Sequence, residues 1–308
     1  MVFSVYADSF DALQNLPAGI EMATLIGGNA QLTTSAAQGS VALQIAPAAG
    51  FPAQGSFTIW ILDGANSEKA QASLNGSTLN ISGATTADHS AGCAVCSAGS
   101  AGSLGDILAR ASRLLENYCR QGPDGAADRS LYALPRAENA NGPGPRVAWD
   151  RDDTLVILPW RWPAQSVISV ALTYSNGAVL ALNPAKTTIT CGGRTLETPF
   201  VAAASQPEPY ISHPQEERWT GFTAAWIYTA GPCGSGGLSG VPDDIRQACL
   251  YFTADLLALR ANPYGLSQNF QGASRRIFRF RGDPWITALR AQALALLEPY
   301  AQTGWDRP

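Results

Sequence analysis

Three segments of this chain repeat apolar residues at helical spacing, and they bracket a stretch that alternates every second residue. They are SLGDILARASRLLENYCRQ, VPDDIRQACLYFTADLLALR and DPWITALRAQALALLEPY. A helical period and a strand period cannot be exchanged without turning the apolar side chains toward water. The sequence therefore predicts an α+β chain: a helical bundle core of three main helices carrying a β insertion. An antiparallel β module, sandwich- or barrel-like, is expected before it. Helices are expected near residues 103–121, 242–261 and 284–299, and the insertion near 147–231. The expected division is a β module over 1–97 and a second domain over 98–308. Such a layout suits a part of an assembly better than an enzyme.

Local signals set the helix ends. Ser103 stands as N-cap before Leu104, Ile107, Leu108, Ala111, Leu114, Leu115 and Tyr118, which share one stripe. Pro242 suits a first helical turn, and Asp243 and Asp244 complement the helix dipole there. The stripe that follows is Ile245, Ala248, Cys249, Phe252, Leu256 and Leu259, stopped by Asn262-Pro263. The last helix starts at Asp283-Pro284 and turns Trp285, Ile286, Leu289, Ala293, Leu296, Leu297 and Tyr300 to one side. Near the start, SFDALQNL reads as a short helix capped by Asp8 or Ser9, with Phe10, Leu13 and Leu16 on one face.

The strand signals fall in two groups. VALQIA, SFTIWIL and STLNIS alternate and are separated by Gly50, Asp63-Gly64, Asn75-Gly76 and Gly83. After residue 150 come DTLVILPW, SVISVALTY, GAVLAL, TTITCGG and GFTAAWIYTAG, with Ser175-Asn176-Gly177 as a hairpin turn. SAGCAVCSAGSAGS over 90–103 reads as a flexible linker, and residues 121–146 as a long loop.

Charged residues make up 14% of the 308 residues, well below the ~25% usual for soluble domains. A low-charge surface often lies covered in an assembly; a weakly charged β-rich protein would look the same. The formal net charge of -4 gives no global field for nucleic acid. No apolar run is long enough to span a membrane, and MVFSVYADSFDALQNL lacks the basic and apolar regions of a leader. A soluble protein made in a cytoplasm, with no membrane partner, is the expectation.

Metal and catalytic signals are few. Of the six cysteines only Cys93 and Cys96 are close in sequence; a His89–Cys93–Cys96 site is conceivable, but no second pair completes it. Cys119 and Cys249 fall on helices, as small core residues do. His213 sits in a Pro-flanked polar loop. Asp152-Asp153 and Glu216-Glu217 are adjacent carboxylates, and neighbours on a strand point to opposite faces, which does not suit paired acid–base work. CGSGGLSG lacks the Lys-Ser/Thr of a phosphate loop. The expectation is no enzyme, no catalytic residue, no cofactor and no metal. The strongest charge feature is SRRIFRFRGD, where Arg275, Arg276, Arg279 and Arg281 alternate with Ile277, Phe278 and Phe280. It can be read as a nucleic-acid contact or as a solvated, ion-paired strand.

The order of these elements resembles the head–tail connector (adaptor) proteins of tailed bacteriophages. The resemblance rests on LxxILxxASRLLENYC, GFTAAWIYTAG, the P-x-D-I-x-x-A helix and the closing L-x-x-x-x-x-L-L-x-P-Y, over roughly residues 103–300. The earlier FPAQGSFTIWILDG, LNGSTLNISG and ADHSAGCAV resemble a small β module of other phage structural proteins. That module carries an acidic residue near Glu68, while Ala84-Thr85-Thr86-Ala87-Asp88-His89 departs slightly from its pattern. The resemblance implies a virion protein of the neck, between capsid portal and tail. It implies a homo-oligomeric ring, usually a dodecamer, that docks under the portal protein, extends the DNA channel and receives a downstream neck or tail protein. Another neck, baseplate or tail-surface role is the alternative. In a ring, Arg275, Arg276, Arg279 and Arg281 become candidates for transient, non-specific contact with genomic DNA. Trp305 and Arg307, in AQTGWDRP, become candidates for the portal contact.

Overall fold

The computed structural model describes residues 2–16, 24–119, 129–150, 154–175, 177–199, 221–261 and 284–301. They form two compact units, Met1–Arg120 with Gly236–Ala301, and Gln121–Ser235 with Gln302–Pro308.

The first unit is built on a barrel. Strands β2 (Ile26–Leu32), β3 (Ala42–Ala46), β4 (Phe57–Leu62), β5 (Ser67–Asn75), β6 (Thr78–Ile81) and β7 (Ala94–Ala98) pair in the order β5-β4-β7-β2-β3-β6, and β6 returns to β5. A closed ring of strands leaves no open edge. β1 (Val2–Phe3) adds to the first residues of β5, whose later residues pair with β6. Alternation puts Leu43, Ile45, Ile59, Ile61, Leu79 and Val95 inside.

Four α-helices occur among the described residues: α1 (Ser9–Asn15), α2 (Leu104–Cys119), α3 (Asp243–Ala261) and α4 (Pro284–Leu297). α1 and α2 pack on β7, and α3 packs on α1, α2 and α4. This cover explains why Trp60 and Leu62 are buried along with Ile59 and Ile61: β4 has protein on both faces. A Cβ on Gly105 would meet the Trp60 ring, so only glycine lets α2 start against it. The indole Nε1 donates to Asp106 at 3.1 Å. Asp8 caps α1 in a reciprocal box with Asp11. The buried residues of α1 are Ser9 and Ala12, while Leu13 is exposed.

The second unit is a sandwich. One sheet has the order β13-β14-β10-β9 and the other β12-β11-β15-β8. The strands are β8 (Leu134–Gly142), β9 (Val147–Trp149), β10 (Thr154–Ile157), β11 (Ala164–Tyr174), β12 (Val179–Leu182), β13 (Thr188–Thr190), β14 (Thr195–Pro199) and β15 (Phe222–Ala230). Leu155, Ile157 and Leu196 from one sheet meet Val170, Leu172, Phe222, Trp226 and Tyr228 from the other.

These findings correct the expected fold class. The chain is mostly β, built on a closed six-stranded barrel, and not a three-helix bundle core with a β insertion. The helical stripes do bury: Leu104, Ile107, Leu108, Ala111 and Leu115 of α2 all lie inside. They bury against strands as well as against each other, and strand residues form the two hydrophobic clusters described above. Two further expectations change. The linker at 90–103 contains β7, a central barrel strand with Ala94, Val95 and Cys96 fully buried. The loop at 121–146 contains β8. Small residues there serve close packing, which composition alone cannot tell from flexibility. No helix among the described residues is long and apolar enough to cross a membrane.

Candidate functional site

Arg275, Arg276, Arg279 and Arg281, and Trp305 and Arg307, lie outside the described residues, as do His213, Asp152, Asp153, Glu216 and Glu217. The site features that can be built are a buried charge network in each unit and the outward faces of the sandwich.

In the barrel unit, His89 does not join Cys93 and Cys96. Its Nε2 lies 2.9 Å from Glu68 Oε1. A carboxylate only accepts, so Nε2 carries the proton. The backbone N–H of Thr86 donates to Glu68 Oε2 at 2.8 Å, and the Thr86 hydroxyl donates to the same oxygen. Burial pushes the Glu68 carboxyl up, but the bonds from Thr86 and His89 outweigh it and hold the group below its ordinary value. On the other side of the ring, Asp63 Oδ2 lies 3.9 Å from Nδ1 and accepts from the Ser90 N–H at 2.6 Å. Nδ1 itself has no hydrogen-bond partner. The side chains of His89, Glu68 and Asp63 are 0%, 3% and 6% exposed. No substrate reaches them. The network works as a latch that ties the β6–β7 connection to the β4–β5 end of the barrel.

The cysteines are likewise sealed. Burial, with the nearby Asp8 charge, pushes the Cys96 thiol up to about 12, and burial raises Cys93 as well. Among the described residues no group of three or more His, Cys, Asp or Glu could hold a metal ion.

The sandwich holds a different network. The Arg146 guanidinium pairs with Glu138, and its Cζ lies 4.5 Å from the Trp160 ring centroid and 5.3 Å from that of Trp226. The Tyr228 hydroxyl donates to Glu138 and accepts from the Arg161 N–H at 3.1 Å. The Trp160 N–H donates to the same carboxylate at 3.1 Å. Burial and the Glu138 charge push the Tyr228 hydroxyl well above its ordinary value, so it remains a donor. This clamp fixes the 158–161 turn and has no vacant reactive group.

Between the helices, fully buried Asp255 of α3 accepts from Arg290 of α4 at 2.6 Å, and its other oxygen has no hydrogen-bond partner.

The sandwich exterior is the more telling surface. The register puts Asn139, Ala225, Ala171 and Ala181 in one outward row across β8, β15, β11 and β12. The flanking rows are Asn141–Thr223–Thr173–Val179, Ala137–Ile227–Ser169 and Pro135–Thr229–Ser166. No outward position is charged. The two charged residues of these strands, Arg136 and Glu138, stand in register with inward Tyr228 and Trp226. Val179 is 59% exposed, Ile227 38%, and the bulge residue Ile168 48%. On the opposite sheet the outward positions are Ala148, Val156, Thr154 and Pro199, then Thr188, Thr190 and Thr195, with Glu197 as the one charge. Glu197 is bound by the Thr190 hydroxyl at 2.8 Å.

No protein-family model matches the chain, and no curated protein matches it. Among the solved structures similar to it are two neck structures. One is a chain from the neck of an empty GTA particle computed with C6 symmetry, at 18% identity over 65% of this chain and 77% of that chain, with a TM-score of 0.33. The other is from the neck of the native GTA particle computed with C12 symmetry, at 16% identity over 65% of this chain and 82% of that chain, with a TM-score of 0.32.

Proposed function

We propose that this chain is a structural virion protein of the head–tail connector type, a ring-forming neck component between portal and tail. The observation that carries the reading is the order of its parts. A helix ending ASRLLENYC is followed by a β unit, then by VPDDIRQACLYFTADLLALR and a closing helix ending LLEPY. In keeping with that order, α2, α3 and α4 belong to one compact unit although the sandwich strands lie between α2 and α3 in the chain. The reading includes no catalytic role. The buried carboxylates described above are committed to internal hydrogen bonds, with Asp255 paired to Arg290.

A cryo-EM reconstruction of the neck of particles carrying the protein tests this. Density for the barrel and sandwich, repeated in a ring beneath the portal, supports the connector. Density at a baseplate or tail surface favours the second reading, to which the N-terminal barrel gives its weight. Absence from the particle rejects both. Within the connector reading, Arg275, Arg276, Arg279 and Arg281 face the channel, and Trp305 and Arg307 meet the portal. Replacing the four arginines by Ser then reduces DNA retention while rings still form, and unchanged retention rejects that placement.

A further inference from the structure

We infer that His89 carries a second proton, on Nδ1, and that this buried proton is the catch that holds one corner of the barrel shut. The inference concerns the barrel unit alone and does not depend on the neck reading.

Two deficits of the site point to the proton. With a hydrogen on Nε2 only, Nδ1 stays without a partner inside the protein. The neutral ring also leaves two carboxylates, Glu68 and Asp63, buried beside it with no counter-charge. Among the described residues neither carboxylate has an Arg or Lys partner. Burying a charge is costly unless it is paired. One proton on Nδ1 answers both deficits. It turns the ring into the cation between the two acids, and it points a donor at Asp63 Oδ2, 3.9 Å away, where a small closure makes a hydrogen bond.

The other groups around the ring do not compete for that role. Asp63 Oδ2 already accepts from the Ser90 N–H at 2.6 Å, which favours its ionised form. Glu68 accepts from Thr86 and His89 and is held below its ordinary value, so it too is charged. The Cys93 thiol feels the Asp63 charge, and burial keeps it neutral. Asp88 is exposed and accepts from the Gln38 N–H at 2.7 Å.

The corner held this way joins several parts of the chain. The two carboxylates stand on either side of the turn at 64–67. Gly64 accepts from the Val5 N–H at 2.9 Å, and the Ala65 N–H donates to Gly236 at 2.8 Å. The Asn66 side-chain amide donates to the Asp88 carbonyl at 3.2 Å. While the ring is an imidazolium, it bridges both acids. When the Nδ1 proton leaves, the acids repel each other across a neutral ring, in surroundings that screen charge poorly. The turn then loosens, and the contacts to Val5, Gly236 and Ser90 loosen with it. The catch holds toward acid and releases toward alkali.

The test is NMR of the full chain. The chain has two histidines, so His213→Gln leaves His89 alone. Long-range proton–nitrogen spectra of the 15N-labelled ring at neutral pH are expected to read both nitrogens as protonated. Asp63→Asn is expected to turn Nδ1 into a bare nitrogen. As pH is raised with the far-UV circular dichroism unchanged, the amides of Val5, Ala65 and Ser90 are expected to lose exchange protection together with the Nδ1 proton, while that of Ile59 keeps it. A bare Nδ1 at neutral pH in the chain that keeps Asp63 overturns the inference, and this reading decides the matter even where Asp63→Asn does not fold. A ring still doubly protonated in folded Asp63→Asn overturns it too. Loss of the Nδ1 proton with protection unchanged at Val5, Ala65 and Ser90 rejects the catch.

Discussion

The barrel and the sandwich are both poor in surface charge, yet they treat water differently. Outward positions of the barrel carry Gln44, Gln71 and Asn80, and the amides of Gln44 and Gln71 hydrogen-bond to Thr78 and Thr58 at 2.8 and 2.7 Å. These side chains lie along the sheet and keep its surface wet. The larger sandwich sheet turns Ala, Ser, Thr, Val and Ile outward, with Asn only on its edge strand β8. Charge poverty alone therefore does not mark a contact surface. The shorter side chains of the sandwich sheet differ in that they can be desolvated with less loss of hydrogen bonds and side-chain entropy.

The interiors differ as well, and substitutions there give the largest effects. Glu68→Ala leaves His89 and both Thr86 donors without their acceptor inside the barrel. A loss of about 3–5 kcal/mol in denaturant unfolding is expected, and a loss below about 1 kcal/mol would mean that the latch is dispensable. Acid probes the same group. Its folded value is lowered, so its stabilisation is complete above the unfolded carboxyl value of about 4.3 and is lost as pH falls through the folded value. The stability gap between the natural chain and Glu68→Gln thus narrows from pH 7 toward pH 3. A constant gap would show that Glu68 acts through shape alone.

In the sandwich, Tyr228→Phe strands the Arg161 N–H and removes one of several donors to Glu138. The expected cost is smaller, about 1–3 kcal/mol, because Arg146 and the Trp160 N–H still hold the carboxylate. An effect as large as that of Glu68→Ala would erase the distinction between a latch and a redundant clamp. Smallest of all, Gln71→Lys on the barrel exterior changes folding stability by less than ~0.5 kcal/mol in denaturant unfolding. A loss above about 1 kcal/mol would show that the Gln71–Thr58 bond matters to the barrel more than a surface bond should.

Several of these features can be read from residues alone. Alternation in VALQIA and STLNIS places β3 and β6, and Ser175-Asn176-Gly177 joins strands that do pair, β11 and β12. The α2 stripe lies inside except for Leu114, which is 37% exposed, and Tyr118, which is half-buried. The fold class does not follow, because helical stripes announce themselves over whole turns while short strands show only two or three matches each. β7 is hidden by Gly, Ala, Ser and Cys, residues that are small because helices press on one side and the barrel fills the other. β8, with Pro135, Asn139, Asn141 and Gly142, has the composition of a loop and is a strand only because β15 supplies its partner. Glu68 and His89 meet across the barrel end, and no local spacing encodes that meeting. Asp255 interrupts an apolar helix for a partner, Arg290, that lies on another helix.

The join between the chain's early and late parts has a temporal consequence. Gly64, at φ +57, sits so close to Gly236 that a side chain there would strike its carbonyl, and Ala65 N–H donates to that carbonyl at 2.8 Å. The barrel corner thus waits for residue 236, and the apolar side of α2 waits for α3. α2 ends at Cys119 and α3 begins at Asp243. At about 5–20 residues per second, a ribosome needs roughly 6–25 s to supply the missing helix. During that interval the barrel lacks this corner contact, and the side of α2 that α3 covers stays exposed while the sandwich is being made. Nascent chains of this protein are therefore expected to engage holding chaperones over one definable window of synthesis, which chaperone capture on ribosomes stalled at successive chain lengths would check.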